Sequence, residues 1–217
     1  MNTALTLIVL ILSVIVHEVA HGYAANSLGD PTARLAGRLT LNPIPHIDVM
    51  GSIIIPMLLV VSGSPILFGW AKPVPYNPYN LKSHRWGEMF VAIAGSATNI
   101  FLAILFGLMV RFGSTSLATG GTWLPASAIS LAAIIAFINL FLGLFNLIPF
   151  PPLDGFTALR AAIPWHASTG LTHFEQRIRS VGVLSLILFL LVFSFVFAEP
   201  FFNFILWLFG LITGGGI

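Results

Sequence analysis

The chain contains no cysteine, so disulfides, thiolate ligands and cysteine nucleophiles are excluded, and any bound metal has to rely on histidine and carboxylate. Charge is nearly as scarce. Asp, Glu, Lys and Arg make up 7% of the 217 residues, where soluble domains use about a quarter. Nine Lys/Arg against seven Asp/Glu leave a formal charge of +2, too little and too dispersed for a nucleic-acid surface. There is no internal repeat, low-complexity tract or charge run. What fills the sequence instead is apolar. Hydrophobic residues reach 57% with a mean hydropathy of +0.98, which identifies an integral membrane protein, read as one membrane-embedded domain over residues 1–217.

The first apolar run, about residues 2–28, predicts a helix roughly 40 Å long that Gly29 stops in a left-handed conformation. It lacks the basic start of a signal peptide and is read as retained. Residues 30–86 shift to Pro, Gly, Asn and basic side chains. Two strands are expected there. In 33–42, Leu35, Leu39 and Leu41 alternate with Arg34, Arg38 and Thr40; in 70–76, Trp70, Lys72, Val74 and Tyr76 alternate with prolines that confine the strand to an edge. Between them, the apolar stretch Gly51 to Phe68 reads as a re-entrant or short helical hairpin. Further spans are expected at 88–110, 129–148 and 181–198, with a shorter apolar piece at 201–212. The expected fold is an all-α membrane bundle of about five to six transmembrane or re-entrant helices, with a small β-strand region inserted after the first helix. If 51–68 returns to the face it left, eight of the nine Lys/Arg share one side. The positive-inside rule then makes the Gly29 face cytoplasmic and puts the N-terminus outside, in the plasma membrane.

Inside the first helix lies His17-Glu18-Val19-Ala20-His21. From Thr3 to Ala25 the two histidines and the glutamate are, Tyr23 apart, the only ionisable side chains, and such residues within a bilayer are functional by default. Histidines four apart share a helix face and can share a metal, while the intervening glutamate can reach a bound water. The alternative is structural glue between helices. A catalytic zinc takes a third protein ligand, for which Asp154 in Pro151-Pro152-Leu153-Asp154-Gly155 is the candidate, although that segment also suits a turn or helix N-cap. Two spans ending on one membrane face would bring Asp154 toward the histidines.

Together, His17-Glu18-x-x-His21 and Asn146-x-x-Pro149-x-Pro151-x-Leu153-Asp154-Gly155 resemble the site-2 protease family of intramembrane zinc metalloproteases. Ala94-Gly95-Ser96-x-x-Asn99 resembles a further stretch of that family, with Ser96 where proline is usual. Asn42-Pro43-x-x-His46-Ile47-Asp48-x-x-Gly51 and Gly69-Trp70-Ala71-Lys72-Pro73-Val74-Pro75 are similar to its short subgroup without PDZ or CBS domains. The resemblance covers most of residues 1–160. It implies Zn2+ held by His17, His21 and Asp154, with Glu18 as general base. Asn146 is a candidate oxyanion donor, or else a helix-end cap. His46 and Asn99 are candidate substrate contacts; the alternatives are a loop network of His46 with Asp48, and an interhelical hydrogen bond from Asn99. His84, His166 and His173 have no ligand spacing, and Trp70, Trp86 and Trp165 fit an interfacial aromatic belt.

A transmembrane substrate must unwind before its carbonyls can be attacked, and an edge strand could pair with the freed backbone, which makes Leu39 and Val74 candidate substrate-binding positions. The expected function is an intramembrane zinc endopeptidase that cuts single-span membrane proteins or membrane peptides near the cytoplasmic face, within the lipid bilayer and without nucleic acid. A divalent-cation transporter and an inactive helix-binding scaffold are the rivals. The first would be expected to show paired repeats, and the intact Glu18 argues against the second.

Overall fold

The computed structural model describes residues 3–61, 70–118 and 124–215. Helix α1 (Thr3–Ser27) ends as expected: Gly29 takes φ 109°, and Asp30 N–H folds back to Ala25 O. A short turn α2 (Thr32–Leu35), a 3-10 turn (Ile44–His46) and a π-helical segment (Val49–Ile54) running into α3 (Ile55–Val61) follow. A second 3-10 turn (Pro78–Asn80) precedes the long α4 (His84–Ala118) and then α5 (Ala126–Asn146). The chain closes with α6 (Asp154–Ala162), α7 (Trp165–Ser180), α8 (Val183–Val196) and α9 (Ala198–Thr213).

Among the described residues, three helices are long and apolar enough to cross a bilayer: α1, α4 and α5. The count becomes four if α7 and α8, bent by 104° where they meet, form one broken span. Helix α4 is the central element and packs on α1, α5, α6 and α9. Small side chains permit the close crossings. A Cβ at Gly143 of α5 would lie 3.0 Å from Ser96 O and 2.8 Å from Ile100 Cγ1 on α4, and Ala103, Ala132 and Ala136 are also buried. Helix α4 runs unbroken through Ser96. Farther out, Phe141, Phe145, Phe193 and Phe201 join α5, α8 and α9 through ring contacts of 5.3–6.2 Å.

The β-strand region is not supported; among the described residues no strand forms. In 33–42 the alternation is interrupted at its middle, because Gly37 takes φ 65° and the N–H groups of Ala36, Gly37 and Arg38 close a helical turn onto Thr32, Arg34 and Ala33. Residues 70–76 are extended, but Pro73 and Pro75 lack the N–H groups of a ladder. The N–H groups of Trp70, Lys72 and Val74 go instead to Gly51 O, His46 O and the Glu18 carboxylate. Of the expected hairpin at 51–68, residues 51–61 are helical, and 62–68 lie outside the described residues.

Candidate metal centre

His17 and His21, one turn apart on α1, direct their Nε2 atoms to a common point 3.0 Å across. Asp154 completes the group. Its Oδ2 lies 2.9 Å from His17 Nε2 and 3.3 Å from His21 Nε2. Asp154 arrives there because α6 starts almost on top of the end of α5: a Cβ at Gly155 would sit 2.1 Å from Leu147 O, so only glycine permits this approach. At its other end α6 is tied to α4. Arg85 donates to the carbonyls of Ala161 and Ala162, and Arg160 pairs with Glu88 and with Glu175 of α7.

Three successive turns of α4 hold the histidines. Val91 O accepts from His21 Nδ1 at 2.7 Å, and Asn99 Oδ1 lies 2.8 Å from His17 Nδ1. Between them Gly95 leaves room for both rings; a Cβ there would fall 2.5 Å from His21 Nε2 and 2.7 Å from His17 Nε2. This explains the Ala94-Gly95-Ser96-x-x-Asn99 pattern physically. The Ser96 side chain is fully buried, and its Oγ has no hydrogen-bond partner among the described residues.

With protons on Nδ1, both imidazoles present a bare Nε2 to each other and to a carboxylate oxygen. Three lone-pair donors this close need a cation between them. A tetrahedral zinc with ligand bonds of about 2.0–2.2 Å spaces its ligand atoms about 3.3–3.6 Å apart, so the 2.9–3.3 Å seen here would open by a few tenths of an ångström around the ion. His17, His21 and Asp154 are the one group of three or more candidate ligands among the described residues.

Glu18, adjacent in sequence to His17, is held from the other side: its Oε2 accepts from Val74 N–H at 2.9 Å. Leu39 and Val74 meet over Gly22, one turn beyond Glu18, where a Cβ would lie 2.6 Å from Leu39 Cδ2 and 2.8 Å from Val74 Cγ1. Buried Arg38 steadies the same segment by donating to Lys72 O at 2.7 Å. The edge of 70–76 facing α1 is thus already committed to this chain's own groups.

The remaining candidates are hydrogen-bonded elsewhere. Asn146 donates to Leu142 O of its own helix at 3.0 Å. His46 bonds Thr40 O through Nε2, and Asp48 caps the π-helical segment at Gly51 N–H, so the two belong to a loop network. His84 bonds Pro78 O. Sequence reasoning did not reach Val91, Ser13 or Asn139. The first acts through its backbone, and the other two carry no motif; their only signal was a polar side chain inside an apolar span.

The family model for peptidase family M50 matches residues 112–191, a stretch that includes Asp154 but not the paired histidines. Among curated proteins, "Putative zinc metalloprotease YwhC" of Bacillus subtilis is 38% identical over 204 residues, covering 92% of this chain and 83% of the relative. "Putative zinc metalloprotease Rip2" of Mycobacterium tuberculosis is 30% identical over 93% of this chain and 71% of its own length. Its Mycolicibacterium smegmatis namesake is 32% identical over 69% of the chain and 53% of the relative. No solved structure matches. With likeness to zinc metalloproteases sustained over nearly its whole length, this integral membrane chain belongs to peptidase family M50, the site-2 family of zinc-dependent proteases.

Proposed function

We propose that the chain is an intramembrane endopeptidase that cuts transmembrane segments of membrane proteins near the cytoplasmic face, with His17, His21 and Asp154 as zinc ligands and Glu18 as general base. One observation carries this: three metal-ligating atoms converge on the flank of a membrane-spanning helix, beside a glutamate on the same turn. Bound zinc supplies Lewis acidity, which lowers the pKa of its water and polarises a peptide carbonyl. Glu18 would act as general base toward the attacking water and then pass that proton to the leaving amine. The Val74 amide orients the Glu18 carboxylate, and the α4 turns around Val91 and Asn99 keep both rings aimed at the metal.

An apolar substrate has somewhere to lie. A cavity of about 510 Å³ runs along α1 past Leu7, Ile11 and Val14 and is closed on its far side by Ile47, Trp70 and Ala71. Leu7, Ile11, Val14 and Glu18 follow one stripe of α1, so a peptide entering this cavity is led toward the general base. Leu39 covers the next turn, where it would contact the peptide beyond the cut, with Val74 buried beneath it against Gly22. The eight Lys/Arg expected on the Gly29 face support an orientation with the site on the cytoplasmic side of the plasma membrane.

Purified protein with a model single-span substrate tests the reading. Glu18→Gln should retain stoichiometric zinc while kcat falls by about 10²- to 10⁴-fold. Full cleavage by that variant, or a parent protein without zinc, would refute it.

A further inference from the structure

Asn139 and Ser13 are buried polar side chains on membrane-spanning helices, at positions where an unpartnered amide or hydroxyl is costly. They belong to one chain of hydrogen bonds that ends on His17. Asn139 Nδ2 donates to Ile135 O and to Ser13 Oγ, each at 2.9 Å. Asn99 Nδ2 donates to Asn139 Oδ1 at 2.9 Å, and Asn99 Oδ1 lies 2.8 Å from His17 Nδ1.

The direction of every bond in this chain is forced from its far end. A main-chain carbonyl can only accept, so Ile135 O requires the Nδ2 side of Asn139 to face it. The Oδ1 of Asn139 then faces Asn99 and takes the Asn99 amide. Asn99 is left with its oxygen toward His17, so His17 Nδ1 must carry the proton. In the neutral imidazole Nε2 is then a bare lone pair, pointed at His21 and Asp154. We infer that Asn139 is a positioning residue that, acting through Asn99, fixes the tautomer and ring plane of His17 for metal binding, with Ser13 as a supplementary acceptor. Without the Asn139 oxygen, Asn99 can turn its amide by 180° and present Nδ2 to the ring. That arrangement favours a proton on Nε2, which cannot ligate. The inference rests on the zinc-peptidase reading but is read through metal affinity, not cleavage.

The test is zinc affinity of the full chain in detergent, measured by chelator competition with thermal stability recorded alongside. Asn139→Leu removes the polarity signal and should weaken zinc binding by about 10- to 100-fold. Asn139→Asp can donate its carboxylic proton to Ile135 O and still accept from Asn99, so it should bind within about threefold of the parent. Ser13→Ala leaves Ile135 O in place and should also stay within about threefold. Parental affinity in Asn139→Leu would overturn the inference, as would equal losses in the Leu and Asp variants that follow their stability. Should Asn139→Leu fail to fold, the ring ¹⁵N spectrum of the zinc-loaded parent decides: metal on His17 Nε2 with the proton on Nδ1 supports the inference, and the reverse overturns it. A parent that binds no zinc would remove the peptidase reading first, a distinguishable failure.

Discussion

At Gly95 the α4 backbone comes so close to both imidazoles that a methyl group would overlap them, at 2.5 Å from His21 Nε2. Alanine is ordinarily the better helix former by about 1 kcal/mol, so the two effects of Gly95→Ala should separate. Because the overlap with both rings opposes the helix gain, the metal-free protein should melt no higher than the parent, while zinc affinity falls by at least about tenfold. A chelator titration beside a melting curve checks both, and unchanged affinity would mean that the rings give way freely. Residues of this kind mark where the sequence was legible. His17, Glu18, His21 and Asp154 stood out because ligand chemistry has a fixed spacing and their setting is otherwise apolar. Val91 could not stand out, since it contributes a carbonyl that every residue possesses. Asn139 and Ser13 are intelligible only once α1, α4 and α5 are side by side.

Among the elements, the segment from Trp70 to Lys82 departs most from expectation, and a single carboxylate holds its second half at Asn77 and Asn80. Asp30, fully buried just beyond α1, accepts from Asn77 N–H at 2.6 Å, Asn80 Nδ2 at 2.8 Å, and the backbone and hydroxyl of Thr32. Burial alone would raise its pKa; the bonds from Thr32, Asn80 and Asn77 outweigh it and hold the carboxyl below its ordinary 3.8. A carboxylate depressed in the folded state contributes stability that is complete above its unfolded pKa and is lost as pH falls through the folded value. Asp30→Asn should therefore cost about 1–3 kcal/mol near neutrality. The gap from the parent should stay constant from about pH 6 to 8 and narrow below about pH 4. Denaturation at several pH values measures it, and a gap that widens in acid would contradict the assignment. Period-2 alternation did not become a ladder here, because Pro73 and Pro75 delete donors and because α1 supplies a stronger acceptor in Glu18 than a neighbouring strand would. The long helices were the legible elements, as their apolar runs exceed a bilayer's thickness. Helix α4 nevertheless begins at His84, within the stretch expected to be a loop.

Across the whole molecule, charge is divided unevenly between the two ends of the bundle. Arg85 and Arg160 lie at the end with Asp154 and the α1 terminus, where they tie α6 to α4. Arg111 alone lies toward the other end of α4, beneath Gly214, donating to Leu211 O at the end of α9. If the positive-inside rule orients the chain as proposed, the first end faces the cytoplasm and a substrate would be cut close to that surface. Because the chain has no cysteine, single-cysteine variants report orientation without background. Ser83 and Ser127 are both exposed; Ser83 precedes α4 and Ser127 lies in the first turn of α5, helices that neighbour each other and must run in opposite senses if each crosses once. In intact cells an impermeant maleimide should modify Ser127→Cys and leave Ser83→Cys untouched until the membrane is opened. The reversed pattern would place the metal centre at the outer surface, and the substrate would then be cut on its external side.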